Sequence, residues 1–492
     1  MWQISSTKND PRMGKNLSII IKTISQLPLR ETTNFLIYQF MLHTGLLKIS
    51  TPTKSKNQNL AVIHLTPSWF PFLGENLQDA GLVPHREKII SRAEKIVNGK
   101  IQFFSTIETD LDLGPLITLR HWSSAYTRSE RSALGDIKFI WEPARFDWAI
   151  HLAQAYFLTK EERYADYFWK KYSEFVEQNP LNQGPNWESA QEVALRIISW
   201  TITLNFLQSS SVSSPEEITH LCTNIADHAD RILPTLAYAK AQNNNHLISE
   251  AVGLYTAGTF LKNHPNALKW RTVGKKWFES AIQRQIDDNG EYIQHSTNYH
   301  RMMLTLSIWM EKLVTQNEDQ LSNRTMEHLR SSVVWLWNIL DQQSGCAPNL
   351  GHNDGSLILP FSTSTYADYR PIIQAASILF TGRKILEPGA YDDLANWLAI
   401  AETDRDTTST QIKHDCPRIG DDLSWGTLRA MRYRSRPAHA DQLHVDLWYQ
   451  GVNVLLDAGT YQYNAAPPYD NGFAGTLPHN TITFMEDRKS VV

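Results

Sequence analysis

The 492 residues are 42% hydrophobic and 20% charged, an ordinary globular balance that excludes a disordered chain. A formal net charge of −4 supplies no global field for nucleic acid or an anionic membrane, so any polyanion must be held by local basic groups. Cys222, Cys346 and Cys416 are too few and too scattered for a disulfide framework or a metal knuckle, and no run approaches the ~20 apolar residues of a transmembrane helix.

The N-terminal residues 1–60 read as a helical segment, with apolar spacings of three and four from about 16 to 47. The short apolar run Ser18-Ile19-Ile20-Ile21 is followed at once by Lys22 and no small-residue cleavage site. It is therefore not a signal peptide, which leaves either a cytoplasmic protein or an exported one whose signal this sequence does not carry. Residues 61–402 form the main domain. Its first part is mixed in pattern. From about 143 helix follows helix, with spans predicted near 145–157, 160–176, 187–207, 215–240, 247–261, 276–287, 302–314 and 326–340. Proline, Asn-Pro and Asn-Gly breaks separate many of them. Short loops make neighbours antiparallel, so the helices close as a curved solenoid or a toroid of helical hairpins. The 16 Trp, 18 Tyr and 18 Phe serve either large cores or aromatic faces for sugar rings.

Residues 403–420 are polar and break the periodicity, as a linker does. From 421 the period becomes two. Leu443, Val445, Leu447 and Tyr449 fall on one face of a strand, and His444, Asp446 and Trp448 on the other. Gln450-Gly451 reads as a hairpin turn and 481–484 as a further strand. The fold class is thus α+β: an α/α toroid followed by an antiparallel β-sandwich over 421–492. About seventy residues are too few for a complete sandwich, so that domain reads as truncated.

Four clusters before the strands could carry chemistry. Asn243-Asn244-Asn245-His246 precedes an apolar helical run; Asn is a natural N-cap, and amide and imidazole donors at a helix N-terminus also receive a carboxylate well. The turn Asn289-Gly290 delivers Gln294, Ser296, Tyr299 and His300 to the start of the next helix; Tyr and His can both transfer protons, or can be core and surface residues. Pro348 to Ser356 is a loop rich in Gly, Asn and Asp of the kind that faces clefts, or simply turns. Around Trp187, Glu188, Gln191 and Glu192, the i,i+4 spacing of Glu192 and Arg196 predicts a helix salt bridge, and Arg145 and Trp148 read as structural too. In the strand region, histidines and aspartates on alternating segments offer the N/O ligands of a zinc-type site.

These motifs, in this order, resemble the heparinase II/III-like polysaccharide lyases, relatives of the heparinases and oligoalginate lyases. The resemblance rests on Gly184-Pro185-Asn186-Trp187-Glu188 with Arg196, Asn244-Asn245-His246, Gln294-His295-Ser296 with Tyr299-His300, residues 436–447 with Asp457-Ala458-Gly459-Thr460-Tyr461, and His479-Asn480-Thr481. It implies β-elimination on a uronate-containing polysaccharide. The uronate carboxylate is neutralised, the C5 proton is removed, and the O4 leaving group is protonated. By resemblance Asn245 and His246 neutralise the carboxylate, Tyr299 is the general acid/base, and Asn244, Trp187, Gln294 and Arg436 contact substrate. His439, Asp457 and His479 correspond to zinc ligands; the ion either anchors the β-domain structurally or polarises the substrate. Many relatives read His-Gly-His where this chain reads Pro437-Ala438-His439. The second proton-transfer group is then one of His300, His352, Tyr461 and Tyr463. Two other readings stand beside the lyase: a glycoside hydrolase on the same toroid, which needs two carboxylates across the scissile bond, and a polysaccharide-binding or assembly protein without turnover.

Overall fold

The computed structural model describes residues 28–57, 69–78, 85–103, 107–114, 117–124, 126–403, 418–421, 423–431, 433, 439–460 and 472–482. Arg436, Tyr461 and Tyr463, most of the expected linker, Cys416 and residues 483–484 of the strand expected over 481–484 lie outside the described residues.

The main helices are α1 (Leu29–His43), α2 (Arg86–Val97), α3 (Lys138–Ala144), α4 (Asp147–Thr159), α5 (Arg163–Gln178), α6 (Ala190–Leu207), α7 (Pro215–Ile232), α8 (Leu236–Gln242), α9 (Asn245–Phe260), α10 (Ala267–Gln285), α11 (Thr297–Gln316), α12 (Asn323–Asn338) and α13 (Arg370–Thr381). A hairpin of β1 (Lys100–Phe103) and β2 (Ile107–Asp110) interrupts them early. Helices α4, α6, α9, α11 and α13 touch in succession and make the inner wall, while α5, α7, α10 and α12 pack outside it. Sequence dictates the division. Helix α6 is buried along its whole length and α9 nearly so, as a helix without a polar face must be. Helix α5 instead buries one stripe, Tyr164, Ala165, Phe168, Trp169, Tyr172 and Phe175, at spacings of one, three and four. Gly253 lets α9 approach α6 closely, since a Cβ there would lie 2.6 Å from that of Ala194.

The single helix expected over 215–240 is two. A capping box at Ser214 starts α7, a 3-10 turn at Leu233–Thr235 breaks it at Pro234, and α8 runs on to Asn243, whose φ of 47° ends it. The helix expected from about 16 to 47 is likewise split, because Gly45 at φ 76° separates α1 from a short turn at Leu46–Ser50.

Beyond the toroid, β3 (Arg418–Gly420), β4 (Ser424–Leu428), β5 (Val445–Tyr449) and β6 (Val452–Leu455) form an antiparallel sheet in sequential order. Gln450 and Gly451 make the expected turn, both at positive φ (49° and 78°), as a tight hairpin requires. Asp446 and Trp448 point inward, while Val445, Leu447 and Tyr449 are exposed. Polarity alone would have put the aliphatic face inside. The structure reverses this because the sheet docks on a polar toroid edge. Trp425 stacks on Trp448 with centroids 5.4 Å apart and donates its indole N–H to Asp341 at 2.9 Å. Arg429 joins the layers, pairing with Asp441 at 2.8 Å and with Glu291 at 3.3 Å.

Candidate active site and metal centre

The site begins where α9 and α11 start. Asn244 caps α9, its side chain accepting the N–H of His246 at 3.1 Å. Asn245 donates its backbone N–H to Gln294 Oε1 at 2.9 Å and its amide to Met302 Sδ at 3.5 Å. The two helix N-termini are therefore joined side by side. Ser296 caps α11 by accepting the N–H of Tyr299. Burial pulls the pKa of His246 down to about 4, with Glu192 opposing and Arg145 adding to the effect, so the imidazole is neutral at neutral pH.

The Tyr299 hydroxyl donates to Asp354 Oδ2 at 3.0 Å. Asp354 also receives Lys138 Nζ at 2.8 Å, Asn298 Nδ2 at 3.1 Å and the backbone N–H of Ser356 at 3.0 Å. Burial alone would raise its pKa, but the Lys138 charge and hydrogen bond, with Arg145, hold it well below the usual carboxylate range. Lys138 reaches Glu142 at 3.1 Å, and Arg145 meets Glu142 at 2.5 Å and grips Glu192 through two bonds of 2.6 and 2.9 Å. This buried network of alternating charges fixes the tyrosine hydroxyl on the first turn of α11, and its Glu192, Arg145 and Asp354 also act electrostatically on His246.

The loop 348–356 carries Asp354 and links this group to the β-domain. Its backbone is pinned to the start of α11: Thr297 donates its hydroxyl to Pro348 O at 2.6 Å and Ser296 donates to His352 O at 2.5 Å. Gly351, at φ 64°, passes so close that a Cβ would lie 2.4 Å from His295 O. On the far side His352 Nδ1 lies 3.0 Å from the Thr460 hydroxyl, and Asn349 donates to Asp457 O at 3.3 Å. Burial, then the neighbouring His439, holds His352 down to about 4.

His439, Asp457 and His479, all buried, bring one donor atom each within 4.8 Å of the others. His439 Nδ1 and His479 Nε2 lie 3.6 and 3.2 Å from Asp457 Oδ2. Tetrahedral bonds of ~2.0–2.1 Å set ligand atoms about 3.3 Å apart, so the spacing fits a metal ion. Both ring nitrogens of His439, Asp457 Oδ2 and His479 Nε2 have no hydrogen-bond partner. The remaining atoms are spoken for: His479 Nδ1 contacts Gly475 O at 2.6 Å and Asp457 Oδ1 accepts the Gly459 N–H at 2.7 Å. Three buried, unsatisfied ligand atoms facing one point, with Asp457 and His479 oriented by bonds from behind, fit the pattern of a ligand set with supporting bonds.

Models of the Heparinase II/III N-terminus and the Heparinase II/III-like C-terminal region match residues 106–346 and 428–492, together more than half the sequence. The chain belongs to the heparinase II/III-like family. Two curated relatives are heparin-sulfate lyases. One, from Bacteroides stercoris, is 22% identical over 383 residues, covering 71% of this chain and 54% of that protein. The other, from Bacteroides thetaiotaomicron, is 31% identical over 159 residues, 32% of this chain and 22% of that protein. The chain thus spans about half the length of the first and less of the second. A crystal structure of heparinase III shares the fold with a TM-score of 0.55 at 18% identity, covering 90% of this chain and 68% of that one.

Within this heparinase II/III-like chain, Asn244, Asn245, His246, Gln294 and Tyr299 gather at one place, and Gln294 spends its carbonyl on the Asn245 N–H. His352 lies between that place and the metal triad. Two expected site residues do not join them. His300 is fully buried, stacked on Trp335 with centroids 4.7 Å apart and its Nε2 2.9 Å from Ser332 O, so it faces α12. Trp187 is 1% exposed, bonded to Asn179 O and packed on His228; it supports the wall and has no face free for a sugar. The Glu192–Arg196 salt bridge is also replaced: Glu192 pairs with Arg145, while Arg196 donates to Ala144 O and Asn186 O. Asp354, Lys138 and Glu142 join the site only in the tertiary structure. The Pro348–Ser356 loop was a weak signal for Asp354, but nothing local marks Lys138, which lies 216 residues from its partner. His444, just before β5, is saturated by Asp446 and the Asn480 N–H.

Proposed function

We propose that this protein is a polysaccharide lyase that cleaves a uronate-containing polysaccharide by β-elimination. The observation that carries the reading is that Gln294 ties the start of α9 to the segment leading into α11, on whose first turn Asp354 holds the Tyr299 hydroxyl. Ionising C5 places negative charge on the uronate carboxylate. Stabilising that charge is an electrostatic task for pre-positioned donors, which the Asn245 amide, a neutral His246 and the positive end of α9 supply. Tyr299 carries the proton between C5 and the departing O4, and His352, on the same loop as Asp354, is the second proton-transfer group. Asn244, Gln294 and Arg436 are the substrate contacts of this reading. His439, Asp457 and His479 would hold zinc, whose contribution is to lock the β-domain and the 348–356 loop against the cleft.

The relatives named as heparin-sulfate lyases support an anionic polysaccharide as substrate. A hydrolase is disfavoured by the carboxylates themselves. A general acid needs a raised pKa, whereas Glu192 and Asp354 are held low despite burial by Arg145 and Lys138 respectively. Burial also raises Asp147 to about 7, Asp227 to about 6, and Glu188 and Glu250, but Asp147 is bonded to Ser199, Asp227 to Ser55 and Asn57, and Glu188 to Arg131, while Glu250 is buried within α9. The test is incubation with a panel of uronate polymers while following near-ultraviolet absorbance from the unsaturated product. Growth of that signal, abolished in Tyr299→Phe, supports elimination; new reducing ends without absorbance refute it.

A further inference from the structure

We propose that Arg30, Lys240, Lys276 and Trp277 form a second binding site, outside the catalytic cleft, for carboxylate or sulfate groups further along the same anionic polysaccharide. Lys240 Nζ sits 4.0 Å from the centroid of the Trp277 ring, and the Arg30 guanidinium and Lys276 Nζ lie 5.6 and 5.7 Å from it. Three cations thus share one aromatic ring. Among the described residues none of the three forms an ion pair, whereas the adjacent Lys275 is paired with Asp319 at 2.5 Å, and Lys95, Lys100 and Lys171 also have carboxylate partners. Lys240 is half-buried, and its pKa is lowered by desolvation and then by Arg30 and Lys276. Mutual repulsion held in place on an aromatic ring is relieved by an anion, and cation–π contact keeps the ammonium partly dehydrated and ready to bind. On a chain of net charge −4, such a concentration of uncompensated positive charge is not a general surface property.

Placement names the ligand. Lys240 lies on α8, which ends at Asn243. Trp277 lies on α10, whose last residue, Gln285, donates its amide to Asn243 Oδ1 at 3.3 Å and to Asn244 O at 3.2 Å. Asn245 follows Lys240 by five positions, a span of at most ~18 Å, and the helix rises about 12 Å from Trp277 to Gln285. The patch therefore sits on the two elements that lead to the carboxylate-binding end of α9. A polymer with regularly spaced anions can occupy both places at once, which raises affinity through effective concentration. The substrate class in this inference rests on the lyase reading; the anion site itself does not.

The experiment uses the full chain carrying Tyr299→Phe, so that turnover does not consume the probe. Its affinity for heparan sulfate is measured by electrophoresis in gels containing the polymer, with and without Arg30→Ala, Lys240→Ala and Lys276→Ala together. The triple variant should melt as the parent does, bind on the order of tenfold more weakly, and show a flatter dependence on salt. In the catalytically intact chain it should raise KM for the polymer while leaving kcat for a short oligosaccharide unchanged. Unchanged polymer affinity overturns the site. Equal binding and equal loss with single-stranded DNA of matched length overturns the sugar assignment in favour of a generic polyanion surface. Loss of polymer binding in a protein that yields no unsaturated product would uphold the anion site and reject the lyase reading.

Discussion

Asp354 is the residue whose replacement tests the catalytic geometry most directly. In Asp354→Asn one carboxylate oxygen becomes an amide. The side chain can then no longer accept from Tyr299, Lys138, Asn298 and Ser356 together. Lys138 is 3% exposed and keeps Glu142 at 3.1 Å, so it is not left wholly unpaired. Breaking a buried ion pair outright costs about 3–5 kcal/mol; with Glu142 retained, a loss of about 2–3 kcal/mol follows. The activity loss is separate. Freed from its acceptor, the Tyr299 hydroxyl is misplaced by an ångström or so, which costs ~100-fold in kcat. The assay follows unsaturated-product absorbance in Asp354→Asn, Tyr299→Phe and the double variant, alongside urea unfolding. If Asp354 acts through Tyr299, adding Asp354→Asn to Tyr299→Phe lowers the rate no further. Wild-type kcat and an unchanged unfolding midpoint in Asp354→Asn would refute the reasoning.

His439→Ala removes one of the three proposed ligand atoms, and since outer-shell losses alone weaken metal binding 10–100-fold, zinc affinity should fall at least ~100-fold, read by metal analysis at limiting zinc; undiminished zinc would sink the assignment. His300 has its pKa lowered from 6.5 to about 4 by burial. The unfolded chain therefore binds a proton the folded one refuses, and stability present above pH 6.5 is lost as pH falls toward 4, about 2 kcal/mol of it between pH 7 and 5. His300→Phe keeps the Trp335 stack, and unfolding at the two pH values should show a shallower slope. Arg429→Met strands Glu291 and Asp441 in a buried interface and should cost about 3–5 kcal/mol, read by thermal unfolding. Gly351→Ala forces a Cβ against His295 O at a positive φ and should cost about 3 kcal/mol with a parallel loss of turnover.

The sequence by itself determined the period-3.6 domain, the later switch to period two, the Gln450-Gly451 turn, and the cap that starts α9. Each of these depends on neighbours within a few residues, where spacing and backbone preference decide the outcome. It also marked Asn245, His246, Tyr299 and the metal triad as chemically capable. Tertiary structure alone decided which of them meet. Tyr299 and His300 are adjacent in sequence, yet a helix turns consecutive side chains ~100° apart, sending one to Asp354 and the other into Trp335. Glu192 faces two arginines, and only packing showed that Arg145, rather than the i+4 neighbour, takes it. The inward side of β5 followed from what the toroid presents to it and not from strand polarity. The network that orients the tyrosine joins residues 138, 142, 145, 192 and 354 through burial. Desolvated charges must find partners wherever the fold brings them, so no local pattern records the pairing.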